Sequence, residues 1–369
     1  CLIVIAAGHE AGFTLADIVT WVFGIYVFGG LLGTILATYY KMPISGAYSI
    51  PGATLMGTAL AGYSFNEAAC AFIIAGVIVL VIGLTGLIGK IMNFLPLEIV
   101  MAMVAGAMMK FGIGVVKSIN ADPLVCGVCF LVFLIVPVFF KKIPGVLSAL
   151  IVGVILAYFT GRFGGNIGDI SFIAPRIVAP EFNFQLVLSC SIPLAVLVMG
   201  AENAQAMGVL KGAGYKVPAN VMTIASGIGG IISGIFGAHN ANIAGPMTAI
   251  CASSEAGEKD GRYVASVVNG ITFAIFGLFA AYAISFVNLI PATLVGTLAG
   301  LAMINVLIDS LKTAFYSGKF KIGSFAALCV GLSGISILHI GCAFWALVVG
   351  VVVSLIVERQ DFKKNSATD

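Results

Sequence analysis

Few residues in this chain could do chemistry, and they fall into three short runs. Glu202 stands in LVMGAENAQAMGVL, beside Asn203 and Gln205. An ionisable side chain inside so apolar a run costs roughly 2.5–3.5 kcal/mol or more in hydrocarbon, which makes it a candidate for function. The chemistry open to it is taking up and giving back a proton. The bland alternative is a protonated Glu making an interhelical hydrogen bond. His239, Asn240 and Asn242 precede Gly245-Pro246, and Tyr48 and Ser49 precede Pro51-Gly52. Proline suits the first turn of a helix and not its interior. Each run therefore reads as an extended approach to a short helix, whose free N–H groups and positive dipole end attract anions. His and Asn at such a break can equally serve to satisfy exposed backbone. Both roles are compatible.

The other ionisable residues read as structural. Asp309, near Lys312 and Thr313, suits a surface ion pair or the edge of a gate. Glu67 and Glu98 begin apolar spans, where a carboxylate complements a helix N-terminus. Lys110 is placed to snorkel toward an interface. His9 and His339 fall in loops, and Glu255, Glu258, Lys259 and Asp260 form a solvated turn. The cysteines read as small buried residues; Cys126 and Cys129 form a CxxC, but no second pair or nearby His completes a zinc site. No cofactor is implied. No Walker A loop, HExxH, GxSxG or Rossmann fingerprint occurs, and no nucleophile is paired with a base, so an enzyme is not expected. No basic stripe marks nucleic acid as a partner.

The elements that must position these residues are transmembrane. Of 369 residues, 60% are hydrophobic and 9% charged, with a mean hydropathy of +1.14. A soluble domain carries about 25% charged residues, so this chain is solvated by lipid. The 46 glycines fit helices packed by close backbone approach. Apolar segments fall at 17–39, 44–60, 66–88, 96–116, 122–140 and 144–160. After a more polar stretch, 161–183, come 184–210, 218–236, 240–254, 262–286, 291–311, 322–338 and 341–357. The apolar run at 1–7 is too short to span, and reads as the end of a truncated first helix. The expectation is an all-α integral membrane protein of fourteen elements, seven on each side of the central stretch. Seven is odd, so the halves form an inverted repeat.

The third element of each half, Ile44–Leu60 and Gly237–Ser253, is short, rich in small residues and broken by proline, with Pro51 and Pro246 195 residues apart. Each is expected to be a short extended piece followed by a half-helix near the midplane. Matching interrupted segments in two halves point to a transporter's binding site. Orientation follows from the cations. With a cytoplasmic C-terminus, that face collects Lys41, Lys90, Lys141, Lys142, Lys211, Lys216, Lys259, Arg262, Lys312, Lys319, Lys321, Arg359, Lys363 and Lys364. The other face holds Lys117, Arg162 and Arg176, a strong positive-inside bias. The tail from 358 to 369 is too short for an appended soluble domain, so concentrating power is expected from ion gradients.

The runs AYSIPGATL, GAENAQAMGVL and GAHNANIAGPMTAICA, followed by RYVASVVNGI, resemble the benzoate/proton symporter (BenE-type) family over essentially the whole chain. The resemblance implies the fold of nucleobase symporters and sulfate-type anion transporters, in a bacterial inner membrane. It implies a core domain (1–95 and 184–286) moving against a gate domain (96–160 and 287–357). A small aromatic carboxylate would be held by Tyr48, Ser49, Pro51, Gly52, Glu202, Asn203, Gln205, His239, Asn240, Asn242 and Gly245, with protons carried on Glu202. The nearest rival is the same fold carrying a nucleobase or another small organic anion, and the remote ones are a channel or an intramembrane enzyme. The turn SSEAGEKDGRY is more hydrophilic than the family pattern. Oligomeric state is open, a homodimer being one assembly.

Overall fold

A computed structural model describes residues 1–87, 95–141, 143–164, 172–335, 337 and 341–365. Lys90, Lys142, His339 and the middle of the 161–183 stretch lie outside these, as do the side chains of Glu255, Lys363 and Lys364. The chain is mostly helical. Its helices are α1 (Leu2–Glu10), α2 (Leu15–Tyr40), α3 (Ile50–Ala59), α4 (Phe65–Thr85), α5 (Leu97–Ala121), α6 (Val125–Phe139) and α7 (Gly145–Phe159). After residue 183 come α8 (Phe184–Gly212), α9 (Ala219–Ile235), α10 (Gly245–Ala252), α11 (Tyr263–Leu278) and α12 (Ala280–Leu289), then α13 (Ala292–Tyr316), α14 (Lys321–Ser333), α15 (Cys342–Val357) and α16 (Arg359–Asn365). Six described helices, namely α2, α4, α5, α8, α13 and the segment Lys259–Leu278 ending in α11, are long and apolar enough to cross a membrane.

Local sequence explains the boundaries. Thr14 and Asp17 open α2 with a reciprocal capping box, and Ser64 and Glu67 do the same for α4, satisfying otherwise orphaned N–H groups. Gly86, at φ 67°, closes α4 in the left-handed conformation that glycine adopts without penalty. Two expectations shift. The 262–286 span is broken at Phe279, whose N–H is shared between the carbonyls of Ile275 and Phe276, a tightened last turn following the weak helix former Gly277. His9 lies in the last turn of α1, not in a loop.

The helices sort into two sets by their packing. In one, α2 lies along α11, α4 along α9, and α1 on α3; in the other, α5 packs on α13, α14 and α15, and α6 on α7. The α2–α11 crossing shows what glycine contributes. A Cβ on Gly30 would sit 2.3 Å from the Gly270 carbonyl oxygen, and one on Gly270 would sit 2.5 Å from that of Gly30. Apolar helices in lipid are held by such close contact and not by exclusion of water. Gly30→Val is therefore expected to lower the melting temperature in detergent by several degrees, an overpacking penalty of about 1–3 kcal/mol. An unchanged melting curve would show that this crossing can widen freely.

Two of the cations expected on the non-cytoplasmic face, Arg162 and Arg176, and Lys110 of α5 are neutralised locally. Lys110 reaches both oxygens of Glu10 at 2.7 Å, so it is an ion-pair partner and not a free snorkelling side chain. Arg176 holds Asp17 at 2.6 Å, and Arg162 pairs with Asp122. Burial alone would raise the Asp122 carboxyl, but hydrogen bonds from Arg162 and the Val125 N–H outweigh it and hold it below the usual carboxylate range.

Candidate functional site

Two extended dipeptides meet where the interrupted segments cross. β1 (Gly46–Ala47) and β2 (Asn242–Ile243) pair antiparallel, Gly46 opposite Ile243 and Ala47 opposite Asn242. Unwound backbone at membrane depth must find partners within the protein, and these strands supply them to each other. Each leads directly into a half-helix. Ser49 caps α3 by accepting from the Gly52 N–H at 3.0 Å, and Pro51 takes an early position that needs no N–H. Pro246 does the same in α10, 195 residues later.

His239 braces this junction. Its Nδ1 accepts from the Trp21 indole at 2.8 Å, and its Nε2 lies 3.0 Å from the Ser49 carbonyl. An indole N–H can only donate, so the imidazole proton sits on Nε2 and is given to Ser49. Both ring nitrogens are thereby committed, and the side chain is fully buried. Asn240 completes the brace: its Oδ1 accepts from the Ser49 N–H at 3.2 Å, leaving its Nδ2 without a partner among the described residues. Tyr48 is buried against Tyr26, the two hydroxyls 3.3 Å apart, and edge-on to His239. Asn242 gives its Nδ2 to the Ile243 carbonyl.

Glu202 arrives from the opposite side. Helix α8 runs unbroken from Phe184 to Gly212 but contains two π-helical turns, Val187–Ser191 and Val198–Asn203. Pro193 accounts for the first, since its ring crowds the carbonyl four residues back. The second carries Glu202, and single π turns recur at functional positions in helices. Its Oε2 accepts the Gly245 N–H, the first residue of α10, at 3.1 Å. The Ser49 hydroxyl and the Ile50 N–H, which opens α3, make looser contacts with the same carboxylate. One buried side chain thus faces both half-helix N-termini. Asn203, next along the turn, accepts from the Ser226 hydroxyl at 2.9 Å and so ties α8 to α9. Gly245 is required by this approach, because a Cβ there would lie 2.7 Å from Gln205 Cβ.

A cavity of about 650 Å³ opens onto this junction, within the usual range for small-ligand pockets of roughly 300–1,000 Å³. Glu202 and Gln205 give it a polar end beside Pro51 and Pro246, and Leu97, Met101 and Val306 give it an apolar wall. Glu98 and Ser317, hydrogen-bonded to each other at 2.8 Å, frame its mouth with Lys312.

The sequence candidates therefore divide. Glu202, Gln205 and Pro51 line the cavity, Ser49, Gly52 and Gly245 build the half-helix starts behind it, and Tyr48, Asn203, His239, Asn240 and Asn242 form the surrounding brace. Asp309 lines the cavity as well, which its sequence reading as a gate edge allowed. Trp21, Ser310 and Lys312 were not singled out as site residues. Trp21 carried one weak signal: it is one of two tryptophans in the chain and sits within an apolar helix.

The chain matches the family model for the benzoate membrane transport protein over residues 1–356. It is 31% identical to the inner membrane protein YdcO of Escherichia coli (strain K12) over 363 residues, covering 96% of this chain and 92% of that one. It is 27% identical to the benzoate membrane transport protein of Acinetobacter baylyi over 356 residues, covering 96% and 90%. Among solved structures, the transmembrane domain of a cyanobacterium bicarbonate transporter, BicA, superposes with a TM-score of 0.63 at 16% identity, covering 96% of this chain and 92% of that one. Murine Slc26a9, an anion transporter in the inward-facing state, gives 0.58 at 15% identity, covering 96% and 65%. The fold is shared; at these identities nothing more is carried over.

Proposed function

Because the chain belongs to the benzoate membrane transport protein family, and so is a membrane transporter, we propose that it imports benzoate or a close aromatic carboxylate together with a proton. The observation that carries this reading is Glu202, buried between the N-termini of two half-helices at the closed end of a cavity. Helix N-termini suit a carboxylate. The apolar wall of Leu97, Met101 and Val306 suits a ring. Bringing a lone anion into a compartment at negative potential costs about 2.3 kcal/mol per 100 mV, and one proton carried with it removes that cost. Glu202 is the intramembrane acid in position to carry it.

The protein is multi-pass and belongs in a bacterial inner membrane, in keeping with its relatives. The C-terminus is on the cytoplasmic side in this reading. Of the cations placed on the opposite face, Arg162 and Arg176 each hold a carboxylate, as does Lys110 within its span, so these charges are cancelled toward the side from which the positive-inside rule depletes them. Fourteen elements in a 7+7 inverted repeat are supported by the equivalent strand and half-helix units and their antiparallel pairing. We read the two packing sets as a core (1–95 and 184–286) and a gate (96–160 and 287–357), a division that the α2–α11 and α5–α13 packing supports. Lys110 of the gate grips Glu10 of the core about 18 Å along α5 from Glu98 at the cavity mouth. The molecule is thus bridged on one side and open on the other, the geometry that alternating access requires.

Uptake of labelled benzoate into proteoliposomes with an inward-directed proton gradient tests this reading. Unlabelled benzoate and its ring-substituted relatives should compete, whereas aliphatic carboxylates and uracil should not. Competition by uracil alone would replace the cargo with a nucleobase.

A further inference from the structure

The donors assigned above to the transported carboxylate already have an occupant. The Gly245 N–H gives its hydrogen bond to Glu202 Oε2 at 3.1 Å, and the Ile50 N–H and Ser49 hydroxyl face the same side chain. The β1–β2 ladder fixes both half-helix starts, and His239 and Asn240 pin Ser49 between them. The pair of N-termini therefore cannot spread to take a second anion beside the first. Two carboxylates against one set of donors also repel each other, so one of them must be neutral or leave.

Resting on the reading that the cargo is a carboxylate, we infer that Glu202 is an internal rival of the substrate: it holds the substrate's own donors, and cargo binds only as Glu202 gives them up and takes a proton. Proton coupling then resides in the binding step itself and needs no separate sensor. Several of the titratable groups around Glu202 are already engaged. His239 is committed at both nitrogens, and Tyr48 is hydroxyl to hydroxyl with Tyr26. Glu98, at the mouth, accepts from Ser317, and Asp309, Lys312 and Tyr316 line the cavity from α13. Spare hydrogen-bonding capacity remains at the site once Glu202 withdraws. The Ser310 hydroxyl lines the cavity, buried and without a partner among the described residues, and the Asn240 Nδ2, beside Ser49, is likewise buried and unpartnered among them.

The test is calorimetric titration of the purified protein with benzoate near pH 8, in phosphate and in Tris, whose different ionisation heats report protons taken up. Close to one proton per benzoate is expected. The dissociation constant should rise about tenfold per pH unit across the alkaline range, as one linked proton dictates. Glu202→Gln, which mimics the neutral acid, should bind benzoate with no proton uptake and an affinity independent of pH. Native protein that binds benzoate without proton uptake, at constant affinity from pH 6 to 9, would overturn the rivalry and leave the cargo reading intact. Undiminished uptake in Glu202→Gln would overturn it too, by placing the proton elsewhere. Failure of native protein to bind benzoate anywhere from pH 6 to 9 would remove the cargo reading, and this inference with it. The native titration decides the matter even if the variant does not fold.

Discussion

Glu202→Gln is expected to abolish pH-driven accumulation while leaving counterflow exchange within a few-fold of native. Glutamine keeps an oxygen that can accept the Gly245 N–H, now held at 3.1 Å, in the empty carrier and, being neutral, yields that donor to a carboxylate, so the junction between α8 and α10 survives. It cannot change its charge, so a pH gradient has nothing to act on. With one coupled proton, each pH unit supports about a tenfold concentration ratio, the equivalent of about 1.4 kcal/mol. The variant should bring that ratio to one. Counterflow needs only binding and reorientation of the loaded carrier, which an uncharged side chain permits. The measurement is labelled benzoate in proteoliposomes, with and without an imposed gradient. Accumulation at the native level in the variant would remove Glu202 from the coupling.

The second large effect is structural in origin. His239→Ala strips the partner from two buried groups at once, the Trp21 indole N–H and the Ser49 carbonyl. Each orphaned group costs about 1–3 kcal/mol, and the vacated ring volume adds a cavity term. A melting temperature lower by many degrees in detergent is expected, with uptake lost because Ser49 is no longer held at the start of α3. Trp21→Phe is the milder companion. It leaves Nδ1 of the histidine without its donor but preserves the Nε2 bond to Ser49, so it should fall between native and His239→Ala. If His239→Ala melted like the native protein and still transported, the brace would be dispensable.

Much of this was legible in the chain before any coordinates. Spans such as 144–160 and 341–357 became Gly145–Phe159 and Cys342–Val357, because apolar stretches here are punctuated by Gly, Pro and polar residues. Pro51 and Pro246 marked both half-helices for a local reason: a residue without an N–H belongs in a helix's first turn. What stayed hidden was non-local or made of backbone. Trp21 and His239 are 218 residues apart, and Lys110 and Glu10 100 apart, with no periodicity linking either pair. The main donors to Glu202 are amides, which no side-chain identity reveals. The π turn that carries it leaves no mark on a helical hydrophobic pattern. His239 was read as a ligand or as a partner for exposed backbone, and its two committed nitrogens fit the second reading.

The short ladder between β1 and β2 has a mechanical consequence. Two helix ends tied by paired backbone and by the Trp21–His239–Ser49 chain cannot act as jaws that close on a guest. Their spacing is built in, like a gauge block. In the proposed alternating-access cycle, whatever the surrounding helices do, a visitor from either compartment is measured against the same fixed width.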